Sequence, residues 1–242
     1  MDFIKRSLLK SRWIGCPPLK AGELLRQNTQ IKEGLVMGMR LAVLEDQAAA
    51  VVAEGCLVSV FLPGAYHLEQ DKMPPLKPDG KYGWLYPAQM YFINMAPAPI
   101  EQWQPQEPLL TRDTERGLVQ LSLSGEYEAK VENAALFMQT LVLERGYNNW
   151  PALHQYLCYR LDELAISLMT HNRTAIARLG KMKEKTALYL KNQMNIDLRS
   201  YGLTIPKMTI HMLEVHPQMH RMWQGQNEHL AFNRALLRSI LD

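Results

Sequence analysis

Four histidines fall near the end of the chain, His211, His216, His220 and His229, with Glu214 among them. Imidazole nitrogens and a carboxylate are zinc donors, and two histidines four residues apart on one helix face can grip a divalent cation. The local sequence works against that geometry. Pro217 interrupts the pair His216 and His220, and the preceding run LTIPKMTIHMLEV (Leu203–Val215) is rich in strand-forming residues. A structural zinc site also wants four ligands at firm spacing. Surface or capping roles are therefore the simpler reading, and no metal or other cofactor is expected. A metal-dependent hydrolase using Glu214, His216 and His220 is kept as the rival.

Other catalytic signatures are missing. The chain has no GxSxG elbow, no HExxH helix and no phosphate-cradling GxxxxGK[ST] loop. Cys16, Cys56 and Cys158 are far apart, odd in number and without a CxxC pair, which points to a reducing compartment. The expectation is no enzyme. Arg173, Arg178, Lys181, Lys183 and Lys185 form a basic stretch, but nothing aromatic or glycine-rich interleaves them, so a solvated helix face is preferred to a nucleic-acid site. The net charge of +3 agrees.

The residues that carry binding chemistry lie at the two ends. MDFIKRSLLKSRWIG sets Phe3, Ile4, Leu8, Leu9 and Trp13 among Lys5, Arg6, Lys10 and Arg12, the mixture of an interfacial helix on anionic lipid. The plain alternative is an arm that packs on its own domain. At the far end Trp223, Leu230, Leu237 and Leu241 recur along an amphipathic helix suited to subunit or partner contact. No apolar run reaches the roughly 18 residues needed to span a bilayer. A cytoplasmic protein, peripheral on the inner face of the cytoplasmic membrane, is expected.

Between the ends, the order is strands, helices, strand, helix. GLVMGMRLAVL, AAAVVAEG and CLVSVFLPGAYHL are strand-length apolar pieces separated by Glu45-Asp46, Glu54-Gly55 and Pro63-Gly64, which predicts a β-meander. The alanines of LEDQAAAVVAEG (Leu44–Gly55) are small enough for another layer to pack over a buried strand. Residues 70–110 are proline-rich, with one convincing strand from Met90 to Met95. GLVQLSLSGEYEAKV alternates with period 2, a strand wet on one face. Helices are predicted for Ala134–Leu143, from the Asn149-Trp150-Pro151 cap onward, and over about Thr174–Ser200, stopped by Gly202. The fold class is α+β, a mainly antiparallel curved sheet with helices on one side. The fourteen methionines are read as flexible core filler.

Three segments in this order resemble the SPFH superfamily, the stomatin, prohibitin and flotillin (band-seven) group. They are LAVLEDQAAAVVAEGCLVSVFLPGAYHL, with its Glu-x-Gln-x-Ala turn and Pro-Gly-x-Tyr; TRDTERGLVQLSLSGEYEAKVEN; and LKNQMNIDLRSYGLTIPKMTIHML, where a helix ends at Tyr-Gly and runs into a strand. The stretch GKYGWLYPAQMYFINMAPAPIEQWQPQEPLLTRD (Gly80–Asp113) resembles the bacterial virion-core-like branch. The likeness covers about Ile31 to Pro217. It implies a non-enzymatic scaffold that self-associates at the membrane and organises lipids or envelope-stress partners, a phage-shock-type coat protein among the candidate partners, with no nucleic acid. On this basis the chain divides into an arm (1–25), an SPFH-like domain (26–217) and a C-terminal helix (218–242). A soluble adaptor of the same fold is the nearest alternative. Larger relatives carry a membrane anchor and a long coiled coil; neither is recognised here, an expectation against permanent anchoring and ring closure.

Overall fold

The computed structural model describes residues 13–31, 34–73, 75–81, 83–113, 117–171, 181–219 and 221–222. It is an α+β protein with almost entirely antiparallel strand pairing, as expected, organised in two compact units. The chain visits each unit more than once. Residues 1–101, 128–157 and 194–207 belong to the first, and residues 102–127, 158–193 and 208–242 to the second.

Strands of the first unit are β1 (Trp13–Ile14), β2 (Leu25–Gln27), β3 (Leu35–Val36), β4 (Arg40–Val43), β5 (Gln47–Ala53), β6 (Cys56–Phe61), β7 (Gly64–His67), β8 (Leu85–Tyr86) and β9 (Gln89–Asn94). They do not form the expected meander. β5 and β6 make a hairpin inside a sheet of order β2-β9-β5-β6, while the flanking strands β4 and β7 pair with each other in a second sheet, β1-β4-β7. The hairpin is thus nested between the strands that flank it in sequence. Turn chemistry marks each corner correctly, but partner choice is made by burial, which local sequence does not display.

β5 is buried along nearly its whole length. Ala48, Ala49, Ala50 and Val51 are wholly buried, with β6 on one side and β9 on the other. Small side chains let that strand be covered on both faces without opening a gap. In the same unit, a short helix (Ala134–Leu136) capped by Asn133 Oδ1 continues as π-helical turns (Phe137–Leu143) that pack on β6. Phe137, Met138 and Leu141 are buried there. The predicted helix over Ala134–Leu143 is therefore present with a wider second half, marked by the Glu144 N–H bonding the Gln139 carbonyl. The proline-rich region also holds more strand than expected. β8 lies before β9, and β10 (Glu101–Trp103) follows it.

The second unit is built on β11 (Leu109–Asp113), β12 (Gly117–Val131, whose last residues lie in the first unit) and β13 (Leu203–Val215, which begins there), with β12 pairing with β10, β11 and β13. Alternation along β12 is strict: Val119, Leu121, Leu123, Gly125 and Tyr127 are buried and the residues between them are half-buried. At Gly125 the β13 backbone comes so close that a Cβ would collide with the Thr209 carbonyl oxygen. The Trp150–His171 helix starts as its sequence predicts, with Asn149 Oδ1 accepting from the Ala152 N–H at 3.0 Å and Pro151 in the first turn. Of the following helix, Lys183–Leu198 is described; Leu190, Met194 and Leu198 face inward as expected, whereas Ile176 and Leu179 lie outside the described residues. Gly202, at φ 69°, ends it and leads into β13. Met39, Met73, Met90, Met138, Met169 and Met194 are buried, consistent with core filling.

Gly125→Ala is expected to cost about 1–3 kcal/mol in urea unfolding, because the colliding atom is backbone and cannot rotate away. Ser122→Ala, on the wetter face of the same strand, should stay within about 0.5 kcal/mol.

Candidate interaction surfaces

Backbone pairing brings three exposed residues of the first unit into one row. β1 runs parallel to β4, setting Trp13 opposite Arg40 and Ile14 opposite Leu41; β7 sets His67 opposite Arg40 from the other side. Ile14 and Leu41 are wholly buried, and their burial holds the two-residue strand in place. Trp13 faces the other way, 50% exposed, with the Arg40 guanidinium 5.5 Å from its ring centroid. Arg40 and His67 are exposed as well. An indole beside a guanidinium suits a membrane-water boundary, where the ring enters the headgroup layer and the fork bonds phosphate.

One expectation about the N-terminus changes here. The helix anticipated through Gly15 does not include Trp13 and Ile14, which are strand because Ile14 docks in the core next to Leu41. Of the residues assigned a membrane role, Trp13 alone is placed; Phe3, Ile4, Lys5, Arg6, Leu8, Leu9, Lys10 and Arg12 lie outside the described residues. Arg40 and His67 were missed by sequence reasoning. They lie 27 residues apart and meet only through a strand register, which leaves no local signal.

At the other end, Trp223, Leu230, Leu237, Leu241 and His220 lie outside the described residues. His216 is engaged by the fold: its backbone N–H donates to the Gln120 carbonyl at 2.8 Å, and its Nδ1 accepts from the Gln218 N–H at 3.4 Å. Glu214 is exposed. Among the described residues no group of three or more His, Cys, Asp or Glu is arranged to hold a metal. In the second unit His211 pairs with Glu126, Nε2 to Oε2 at 3.1 Å, and Lys183 Nζ donates to the His211 carbonyl at 2.6 Å. One lysine of the basic stretch thus serves the fold, while Lys181 and Lys185 are exposed. Cys16, Cys56 and Cys158 are unbridged.

Two tryptophans are fixed by carboxylates. In the first unit Trp150 Nε1 donates to Glu101 Oε1 at 2.6 Å. In the second, Trp103 Nε1 donates to Asp162 Oδ1 at 2.8 Å. Burial pushes the Asp162 carboxyl above its ordinary range, and hydrogen bonds from the Trp103 indole and the Gln106 backbone oppose part of that push. A partly buried acid with a raised pKa is a feature of some catalytic sites. Here its bonded partner is a core indole, 2% exposed, so its role is to satisfy that N–H.

A family model for the SPFH domain-Band 7 family matches residues 24–228. The chain belongs to this family. No curated protein matches it. SPFH proteins are in general membrane-associated, oligomerising scaffolds without enzymatic activity. Among the described residues no helix is long and apolar enough to cross a membrane. The exposed Trp13, Arg40 and His67 row therefore belongs to an SPFH protein.

The Asp162 carboxyl binds its proton more readily folded than unfolded, so its contribution favours the fold at acid pH and turns against it as pH rises through the carboxyl range. Asp162→Asn, which keeps the acceptor, should match or exceed the parent in stability at neutral pH, with the difference closing in acid. Asp162→Ala strands the Trp103 N–H and should cost about 1–3 kcal/mol. Urea midpoints at neutral and acid pH check both.

Proposed function

We propose that this SPFH protein is a non-enzymatic scaffold that self-associates and rests peripherally on anionic membrane at the inner face of the cytoplasmic membrane, organising lipids or envelope-stress partners. The observation that carries the membrane half is the exposed Trp13, Arg40 and His67 row, set where the basic N-terminal segment joins the sheet. Residues 1–25 act as the arm, 26–217 as the domain and 218–242 as a helix whose Trp223, Leu230, Leu237 and Leu241 serve contact between subunits or with a partner such as a phage-shock-type coat protein. The virion-core-like branch is the one it resembles.

The energetics favour many weak contacts over one strong one. Each basic residue near an anionic surface contributes about 1 kcal/mol, so a single arm with Lys5, Arg6, Lys10 and Arg12 binds marginally. Arms displayed together by an oligomer bind by avidity, since the later contacts form at high effective concentration. Among the described residues β6 and β7 each end a sheet, and with the exposed Leu44 and Leu62 they offer surface for association in the first unit.

Flotation with phosphatidylglycerol vesicles tests the arm. The truncation must stop at residue 12, because Ile14 is core. Intact chain should float, the form lacking residues 1–12 should not, and Trp13→Ala with Arg40→Glu should weaken flotation severalfold; raised salt should release the intact chain. Equal flotation of all three forms rejects the arm's role, and flotation of none leaves the soluble adaptor.

A further inference from the structure

One helix of the second unit carries apolar side chains on its solvent side. Along Lys183–Leu198, Thr186, Ala187 and Leu190 are buried, while Leu188 is 57% exposed and Tyr189 39%. Lys185 stands one turn before that pair on the same side, flanked by the exposed Lys181 and Glu184. The outward face therefore reads as a basic turn followed by an apolar one.

The path of the chain brings its last residues back to this helix. In the first unit Asn195 Oδ1 accepts from the Ile205 N–H at 2.6 Å and Asn195 Nδ2 donates to the Ile205 carbonyl at 3.1 Å. In the second, Lys183 Nζ donates to the His211 carbonyl at 2.6 Å. β13 thus meets the end of the helix first and its start last, and the chain leaves the strand on the side where the helix begins. The description stops at Met222, 58% exposed, with twenty residues to follow. As a helix those twenty span about 30 Å, against about 24 Å for the sixteen residues of Lys183–Leu198.

Their sequence asks for two contacts. At about 100° per residue, Phe232, Leu236 and Ile240 form a second apolar stripe beside that of Trp223, Leu230, Leu237 and Leu241, so apolar side chains take up about half the circumference. A single contact uses a narrower stripe. Glu228 lies one turn before Phe232, as Lys185 lies one turn before Tyr189, so charge and apolar residues match in the same order along both segments.

We propose that residues 223–242 fold back along Lys183–Leu198 of the same chain, setting Phe232 and Leu236 on Leu188 and Tyr189 and Glu228 beside Lys185. An isolated helix of this length is marginal in water, and such a seat supplies the packing that steadies it. Trp223, Leu230, Leu237 and Leu241 are then turned outward from a fixed face. Only that outward role rests on the scaffold reading above; the docking stands without it.

Disulfide trapping and hydrogen exchange on the full chain test the seat. With the exposed Cys56 replaced by Ser, Leu188→Cys paired with Phe232→Cys or with Leu236→Cys should close a bond within one chain under copper phenanthroline, seen as a fast-running monomer on a non-reducing gel. Leu188→Cys with Leu230→Cys, which takes the other stripe, should not. Amides of 223–242 should be protected, and Leu188→Asp with Tyr189→Asp, at exposed positions that spare the core, should speed their exchange at least about tenfold. Lys185→Glu should speed it too, and adding Glu228→Lys should restore protection. Intrachain bonding in a chain that stays monomeric by mass upholds the seat and removes the subunit role of the outer stripe. Bonds only between chains, no bond with either partner, equal bonding at Leu230, or exchange unmoved by the Leu188 and Tyr189 changes overturns the proposal.

Discussion

The first unit depends on one packing constraint: β5 must be covered on both faces while bonded on both edges. Ala48, Ala49 and Ala50 meet it by being small, and their complete burial fixes β6 and β9 as neighbours. With β5 so placed, β4 and β7 pair with each other, and β4 then offers its other edge to β1. Enlarging any of these alanines would overpack a layer that has no slack. The position of Trp13, where the described chain begins, therefore follows from residues about 35 positions further along.

On the proposed reading, a scaffold works through its surface. Its chemistry lies in where side chains are displayed, and a short parallel strand such as β1 is a firm way to hold an indole at the surface. Ile14 holds the strand in the core while Trp13 and Arg40 remain outside. Three carboxylates serve the fold. Asp162 and Glu101 each accept an indole N–H, and Glu126 pairs with His211.

Local patterns in the sequence carried much of this. The alternation of β12, the strand Leu203–Val215, the Asn149 cap and the Gly202 stop depend on neighbours within a few residues, and each is where its pattern puts it. What escaped was set by distant pairing. The expected meander gave way to a nested hairpin, because turns record where the chain reverses and not which strand it returns to. The short strands β8 and β10 sit among prolines, where local preference argues for loops and a bonded partner decides otherwise. The pairing of His211 with Glu126 is of this distant kind, whereas the His216 contact with the Gln218 N–H is local and fits the capping role expected of a surface histidine.

The account stands on the claim that many copies act together on a membrane surface. Mass photometry of the full chain on a supported bilayer containing phosphatidylglycerol tests it directly. Particles should grow from small species in solution to multimers on the bilayer, with growth lost when residues 1–12 are removed. Landing only as single chains, at every surface density, would contradict it.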